Sequence, residues 1–548
     1  MRLEKFIYNI IQSPKKSFLI YAITFILFVV SIATFPTEIV KAKMLPSKDS
    51  DTFSVYVDLK EGSSIDETKE VTSCISKKLI SKDLVTDVSV FIGEGQPLDF
   101  AALVKQSALK DKQSQSEIMV NIKKDRDITS YNFVSNIRGE LQECSKYEAN
   151  IKLIELPAGP PVLASIVAEI YGGNNFHSRR NFANKIAKVL SNQKTLVDVE
   201  VMADKDKEKF EITLDNNKII KSGISLEQVK NTIYIAYEGL VLSVINEKDS
   251  QSQIPIFLRL DQQRVFKSNK KNDIVNKLST LKLINKNGLA VPLSELINVK
   301  RILKESTLTS KNLTPMINVI AETDKDSQIY PLLNVRTELL DTFSKDYEVS
   351  KSNMLNLEFK DKKTGENFKL VWDGELKVTI DTFIDLGGAF IIALVLIFFL
   401  MVVYYKSFAL SGGIVLSSFI SIIGVIFAHV IMDLFTTDTF YLTATSLIGF
   451  IGLIGINSRN STLIIDFTKQ LIEEKGLTIN EAIAKATATR SKPIILTVLT
   501  MVFASSLLAT DAVFGGLGVA LIGGTLISYV VSMFFVPVII KNQIRKIL

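Results

Sequence analysis

The segment with the clearest chemical content is Asn457-Ser-Arg-Asn-Ser-Thr462, six polar residues, one of them charged, between the apolar runs Leu447–Ile456 and Leu463–Ile465. Polarity inside an apolar stretch long enough to cross a bilayer is expensive and by default marks a functional path. The plainer reading lets Arg459 snorkel outward while Asn457 and Ser461 hold helices together. About two further helical turns separate Arg459 from Asp466, which weighs against snorkelling. A guanidinium keeps its proton at every relevant pH, so a buried Arg459 needs an anion. The other apolar segments hold no carboxylate between their ends: Asp433, Asp466 and Asp511 lie at or beyond a boundary. His429, about one turn from its segment's outward end, reads as a packed imidazole. The expectation is that the anion comes from elsewhere. A second polar face runs from Arg490-Ser-Lys-Pro493 to Thr497, with a basic membrane flank and a self-bonded hydroxyl as its plain alternative.

The elements that must position these groups follow from hydropathy. Of 548 residues, 47% are apolar and 22% charged, which excludes a disordered chain. The apolar excess sits in Ser17–Phe35, Leu386–Tyr405, Phe408–Met432, Phe440–Ser458 with a continuation to Phe467, Pro493–Ala509 and Gly518–Ile540. Each covers ~30 Å of hydrocarbon at ~1.5 Å per residue. This predicts an α-helical membrane bundle of one plus five helices around a large insert, Pro36–Asp385. The first segment reads as an anchor, because Phe35-Pro-Thr-Glu38 lacks a small-residue cleavage pattern. Lys and Arg flank the ends that place both termini in the cytoplasm, and the Asp433–Thr439 and Thr510–Gly516 loops have none, so the insert faces the periplasm of a diderm bacterium. The net charge of +6 arises from basic residues dispersed among 58 acids, which excludes nucleic acid as a partner. No nucleophile elbow, phosphate loop or metal-helix motif stands out, so neither an enzyme nor a cofactor or metal is expected.

Within the insert the period switches between two and 3.6. Phe53, Val55, Val57 and Leu59 alternate as a strand, Ser64-Ile-Asp-Glu67 opens a helix, and Val85–Ile92 is a strand; a second such unit ends at Ile151–Glu155. Together they predict a split β-α-β sandwich, closed by the turn Leu156-Pro-Ala-Gly-Pro-Pro161. A second sandwich begins with Ser165–Tyr171, a helix and Leu196–Val201, and is completed by Met316–Ala321, Pro331–Phe343 and Asn356–Lys360. The expected α+β division is 1–35 for the N-terminus and first helix, 36–158 for the first sandwich, 159–224 and 309–385 for the second, 225–308 for an inserted subdomain, and 386–548 for the bundle with a cytoplasmic loop at 468–492. Cys74 and Cys144 fall on or just after helices of the first sandwich; two packed thiols are expected, with a bridge in an oxidising compartment as the alternative.

At Gly455–Phe467, Glu481-Ala-Ile-Ala-Lys-Ala, Arg490–Thr497, Val40–Pro46 and Glu155–Pro161 the chain resembles the resistance-nodulation-division (RND) efflux transporters, in their hydrophobe/amphiphile branch. It matches the C-terminal half of that family's chain, which is built from two parallel repeats. The resemblance implies porter subdomains for the two sandwiches, a docking role for the inserted subdomain, and Phe91 and Phe100 at the border of a drug path. It puts Arg459 at the family's intramembrane basic position, with Asn460 and Ser461 beside it and Arg490 and Thr497 as relay partners. The proton-accepting aspartates belong to the other repeat. The implied machine is one half of a split proton-driven pump of the inner membrane, paired with a chain that carries the N-terminal repeat. Three such pairs, a periplasmic adaptor and an outer-membrane channel would complete it, with hydrophobic or amphiphilic small molecules as cargo. The alternatives are a heavy-metal efflux half, which needs soft ligands such as the scattered Met119, Met202, Met316 and Met354, a protein-export accessory, or a non-transporting remnant.

Overall fold

Alternating apolar residues commit the start of the region between the first two apolar segments to strands. The computed structural model describes residues 2–544 other than 99, 106, 108, 109, 156–158, 160, 161, 249, 251, 261–270 and 354. Strands β1 (Thr52–Asp58), β2 (Val85–Ile92), β3 (Gln115–Ile122) and β4 (Asn150–Glu155) form an antiparallel sheet of order β2-β3-β1-β4. Helices Ile65–Ile80 and Ser130–Gln142 cover one face, where Val71, Ile75, Leu79, Phe133, Ile137 and Leu141 pack on Val55, Val57, Ile118, Val120 and Ile151. The Ser64–Glu67 capping box starts the first of these helices as expected. Cys74 and Cys144 are joined in a disulfide, which corrects the expectation of two packed thiols: helix and turn bring their Cα atoms to 5.9 Å, within bridging range. Most of the turn expected at 156–161 lies outside the described residues.

The second sandwich opens with β5 (Ile166–Gly172), helix Phe176–Ser191 and β6 (Leu196–Met202). The chain then builds a separate compact unit, Asp204–Thr307, with β7 (Glu208–Leu214), β8 (Leu240–Ile245), β9 (Ile254–Leu258), β10 (Lys282–Ile284), β11 (Ala290–Pro292) and β12 (Ile297–Leu303). This unit starts earlier than the expected 225, because β7 pairs along its length with β12. Its core is Ile219, Val229, Leu278, Leu293, Leu296 and Val299. Strands β13 (Thr309–Lys311), β14 (Thr314–Thr323), β15 (Tyr347–Lys351), β16 (Leu357–Asp361) and β17 (Asn367–Asp373) then complete the second sheet, in order β13-β14-β5-β17-β16-β15 with β6 also on β14. Strand β17 lies between β5 and β16 and is an addition to the expected elements. Phe182 and Phe368 stack at 4.3 Å in the core beneath it.

Six helices are long and apolar enough to cross a membrane among the described residues: Pro14–Ala33, Glu375–Tyr405, Phe408–Phe435, Ala444–Lys475, Ile479–Leu508 and Gly515–Lys541, here the first to sixth spans. The expected loop at 468–492 is instead two helix ends and a short turn at Gly476. Leu471, Ala482, Ile483 and Ala486 bury one face of those ends, and Pro493 lies inside the fifth helix rather than at its start. An amphipathic helix, Arg2–Gln12, buries Ile7 and Ile11 against the same region. The third and sixth spans approach closely: a Cβ on Gly424 would stand 2.2 Å from the Gly523 carbonyl oxygen, so only hydrogen fits there.

The segment after the first span and both sandwiches are tied to the stretch just before the fourth span. Lys43 N donates to Leu442 O at 3.1 Å and Leu442 N to Lys41 O at 2.8 Å, just before the fourth span. Asp438 accepts from Tyr131 and Asn132 of the first sandwich at 2.8 and 2.6 Å, and Tyr441 Oη donates to Lys325 O at 2.6 Å. Short polar contacts thus join the segment just before the fourth span to both sandwiches.

Candidate functional site

The polar stretch of the fourth span divides by helical face. Asn457, Ser458, Asn460 and Ser461 are buried, whereas Arg459 is exposed on the surface of this chain's bundle. Asn457 Nδ2 donates to Ser417 O at 2.6 Å, and Asn457 Oδ1 accepts from Ser528 at 2.9 Å and Ser532 at 3.4 Å. Ser458 and Ser461 share hydrogen bonds with Ser418 (3.1 Å) and Ser417 (3.2 Å). One amide thus joins the third, fourth and sixth spans. Its partners Ser528 and Ser532 bracket the start of a π-helical turn, Val531–Phe535, a local widening that is frequent at functional positions. Asn460 is also buried, and its Nδ2 has no hydrogen-bond partner among the described residues.

Arg459 lies on an uncovered stripe of the fourth span with Ile448, Gly452, Gly455 and Leu463. Open space surrounds the position of a Cβ at both glycines. Arg459 makes no ion pair or hydrogen bond among the described residues. Asp466, the nearest acid on the same helix, accepts from Tyr405 Oη at 2.9 Å and Tyr404 Oη at 3.4 Å on the second span. The expected partners are elsewhere. Arg490 stacks its guanidinium 4.5 Å from the centre of the Phe467 ring, and its Nε lacks a hydrogen-bond partner among the described residues. Thr497 donates to Pro493 O at 3.1 Å, the self-bonded arrangement. No hydrogen bond or ion pair joins Arg459, Arg490 and Thr497 among the described residues.

His429 is fully buried, with Nδ1 at 2.8 Å from Val425 O and Nε2 at 2.8 Å from Ser446 Oγ, a packed imidazole near the outward end of the bundle. Phe91 is partly buried on β2, opposite Glu117 on β3. Phe100 opens the short helix Phe100–Val104, and its side chain lies outside what the structure describes. The hydroxyl partners of Ser458 and Ser461, Ser418 and Ser417, were not singled out by sequence reasoning. The available signal was the run Ser411, Ser417, Ser418 and Ser421 in the third span, whose spacing keeps hydroxyls on one side of the helix.

Comparison with known proteins bears on the whole arrangement. The AcrB/AcrD/AcrF family model matches residues 2–541. The swarming motility protein SwrC of Bacillus subtilis (strain 168) is 21% identical over 523 residues, which are 92% of this chain and 44% of SwrC. Two crystal forms of a heavy metal efflux pump superpose with TM-scores of 0.74 and 0.71 at 16% and 15% identity, covering 99% and 98% of this chain and 51% of theirs. At that identity the likeness speaks for the fold, and the chain spans about half the length of the relatives it matches. The family match over nearly all residues agrees with the six apolar helices and the two sandwiches, and the chain belongs to the AcrB/AcrD/AcrF family of RND transporters.

Proposed function

We propose that this chain supplies one six-helix bundle and one pair of porter sandwiches to a proton-driven efflux transporter of the inner membrane. A second bundle, facing this one, contributes the proton-accepting aspartates. The observation that carries this reading is Arg459: a permanent cation midway along a helix of 32 residues, facing out of its own bundle and unpaired among the described residues. Bare guanidinium in hydrocarbon is costly, so a facing carboxylate is the arrangement that lowers its energy. Protonation of that carboxylate would release Arg459 and change how the bundles pack. The contacts of Asp438 and Tyr441 would transmit the change to the sandwiches. Both termini then lie in the cytoplasm and Pro36–Asp385 in the periplasm. Trimeric assembly with an adaptor and an outer-membrane channel belongs to the same proposal, as do hydrophobic or amphiphilic cargo and a path past Phe91 and Phe100.

Heavy-metal cargo is the second reading. It draws on the likeness to the heavy metal efflux pump and on Met202 and Met316, which share a face of adjacent strands with Asn318 between them. Deletion strains separate the two: organic cargo predicts increased sensitivity to dyes and detergents with unchanged sensitivity to copper and silver. The opposite pattern transfers the chain to metal efflux, and no change in either defeats the transport reading.

A further inference from the structure

Charged side chains tie the two sandwiches together. Arg138 of the first pairs with both carboxylate oxygens of Asp198 on β6 at 2.8 and 2.7 Å. Asp198 reaches it from a left-handed backbone position (φ 55°), near the bulge where β6 slips against β14. Lys152 on β4 pairs with Glu200, Lys105 with Glu322, and Ser135 donates to Asp324 at 3.1 Å. Beside these ties lies a cavity of about 100 Å³. Glu155, the last residue of β4, lines it, and its buried Oε1 has no hydrogen-bond partner among the described residues; the buried Nε of Arg138, in the same wall, has none either. A carboxylate and a guanidinium nitrogen from one sandwich thus both lack partners at the point where that guanidinium reaches across to the other.

We propose that Glu155 is a proton-operated latch between the sandwiches. Neutral, it leaves Arg138 to Asp198 and the interface closed; ionised, it competes for Arg138 within the first sandwich and loosens the crossing tie. The groups around it are Arg138 from helix Ser130–Gln142, Lys43 from the segment after the first span, Lys105 after helix Phe100–Val104, Glu322 and Asp324 at the end of β14, and Glu375 at the start of the second span. Lys48 and Lys325 complete the rim. Burial pushes the Glu155 carboxyl up to about 7, with Arg138 and Lys43 pulling it down and Asp324 and Glu322 pushing it further up. Glu322 differs: burial also opposes its charge, but Lys105 and two hydrogen bonds from Ser165 outweigh it, so it lies below the usual range. The sign follows from linkage. A carboxyl raised in the closed form binds a proton on closing, so closure is favoured at acid pH and weakened as pH rises toward about 7.

The test reads distance rather than transport, so it stands or falls independently of the membrane relay. In the full chain, spin labels replace the exposed Lys69 of helix Ile65–Ile80 and Lys188 of helix Phe176–Ser191, one on each sandwich. Pulsed electron resonance then follows the short-distance population from about pH 5.5 to about pH 8.5. A one-proton latch changes the open-to-closed ratio by up to about tenfold per pH unit. The expected result is a fall in the short-distance population as pH rises in the otherwise unaltered chain, and a pH-independent closed population in Glu155→Gln. A distance distribution that does not respond to pH overturns the latch without need of any variant. An undiminished response in Glu155→Gln overturns it as well.

Discussion

Asp466 is held by the Tyr405 hydroxyl at 2.9 Å, so the acid nearest to Arg459 along the fourth span is already engaged with the second span. The seven-residue step from Arg459 to Asp466 corresponds to about 10 Å of helix rise. The bundle therefore satisfies its own carboxylate with a phenol and leaves its guanidinium facing outward, a division of polar groups that suits a subunit completed by another.

Arg459→Ala is expected to abolish transport while leaving insertion and folding intact. The side chain makes no hydrogen bond or ion pair among the described residues that its removal would break. Efflux assays alongside thermal melting in detergent check both halves. Unchanged efflux removes Arg459 from the mechanism.

Asn457→Leu should destabilise the bundle. It deletes the amide that serves Ser417, Ser528 and Ser532, and it leaves buried polar groups unpaired, at a cost of about 1–3 kcal/mol. A melting temperature in detergent equal to that of the parent would show that the network carries no stability.

Gly523→Val should be worse tolerated than Asn457→Leu. A Cβ at position 523 would stand 2.3 Å from both the Gly424 carbonyl oxygen and the Ala428 Cβ, and the third and sixth spans would have to separate. The expected readout is loss of folded, detergent-extractable protein. Normal yield and melting would contradict the close approach.

Cys74→Ser is expected to lower the stability of the first sandwich by about 4 kcal/mol, the loop-closure contribution of a bridge spanning 70 residues of sequence. Non-reducing electrophoresis and proteolysis of the first sandwich are the measurements. Free thiols in protein purified without reductant would refute the bridge.

Much of this fold can be read from local pattern, and what escapes has identifiable causes. The spans announce themselves by uninterrupted apolarity, but Lys469–Lys492 is charged and reads as loop, although the Thr478–Glu481 box and the small apolar face of Ala482, Ile483 and Ala486 carry a helix through it. Strand β17 has a clear alternation in Phe368, Leu370 and Trp372. Its place between β5 and β16 depends on pairing between distant segments, which local pattern does not encode. Arg459 was conspicuous in type and depth. Whether it faces inward or outward depends on how the fourth helix is rotated against its neighbours, and that is set by Asn457 and the serines of two other spans.

The central claim is that the counter-ion of Arg459 belongs to a second bundle. The decisive measurement is the distance from its guanidinium to the nearest carboxylate in a high-resolution structure of the chain purified with its associated membrane proteins. The account predicts a carboxylate from outside this six-helix bundle within salt-bridge reach, about 4 Å or less. A guanidinium open to bulk water, or paired with Asp466 of its own chain, contradicts it.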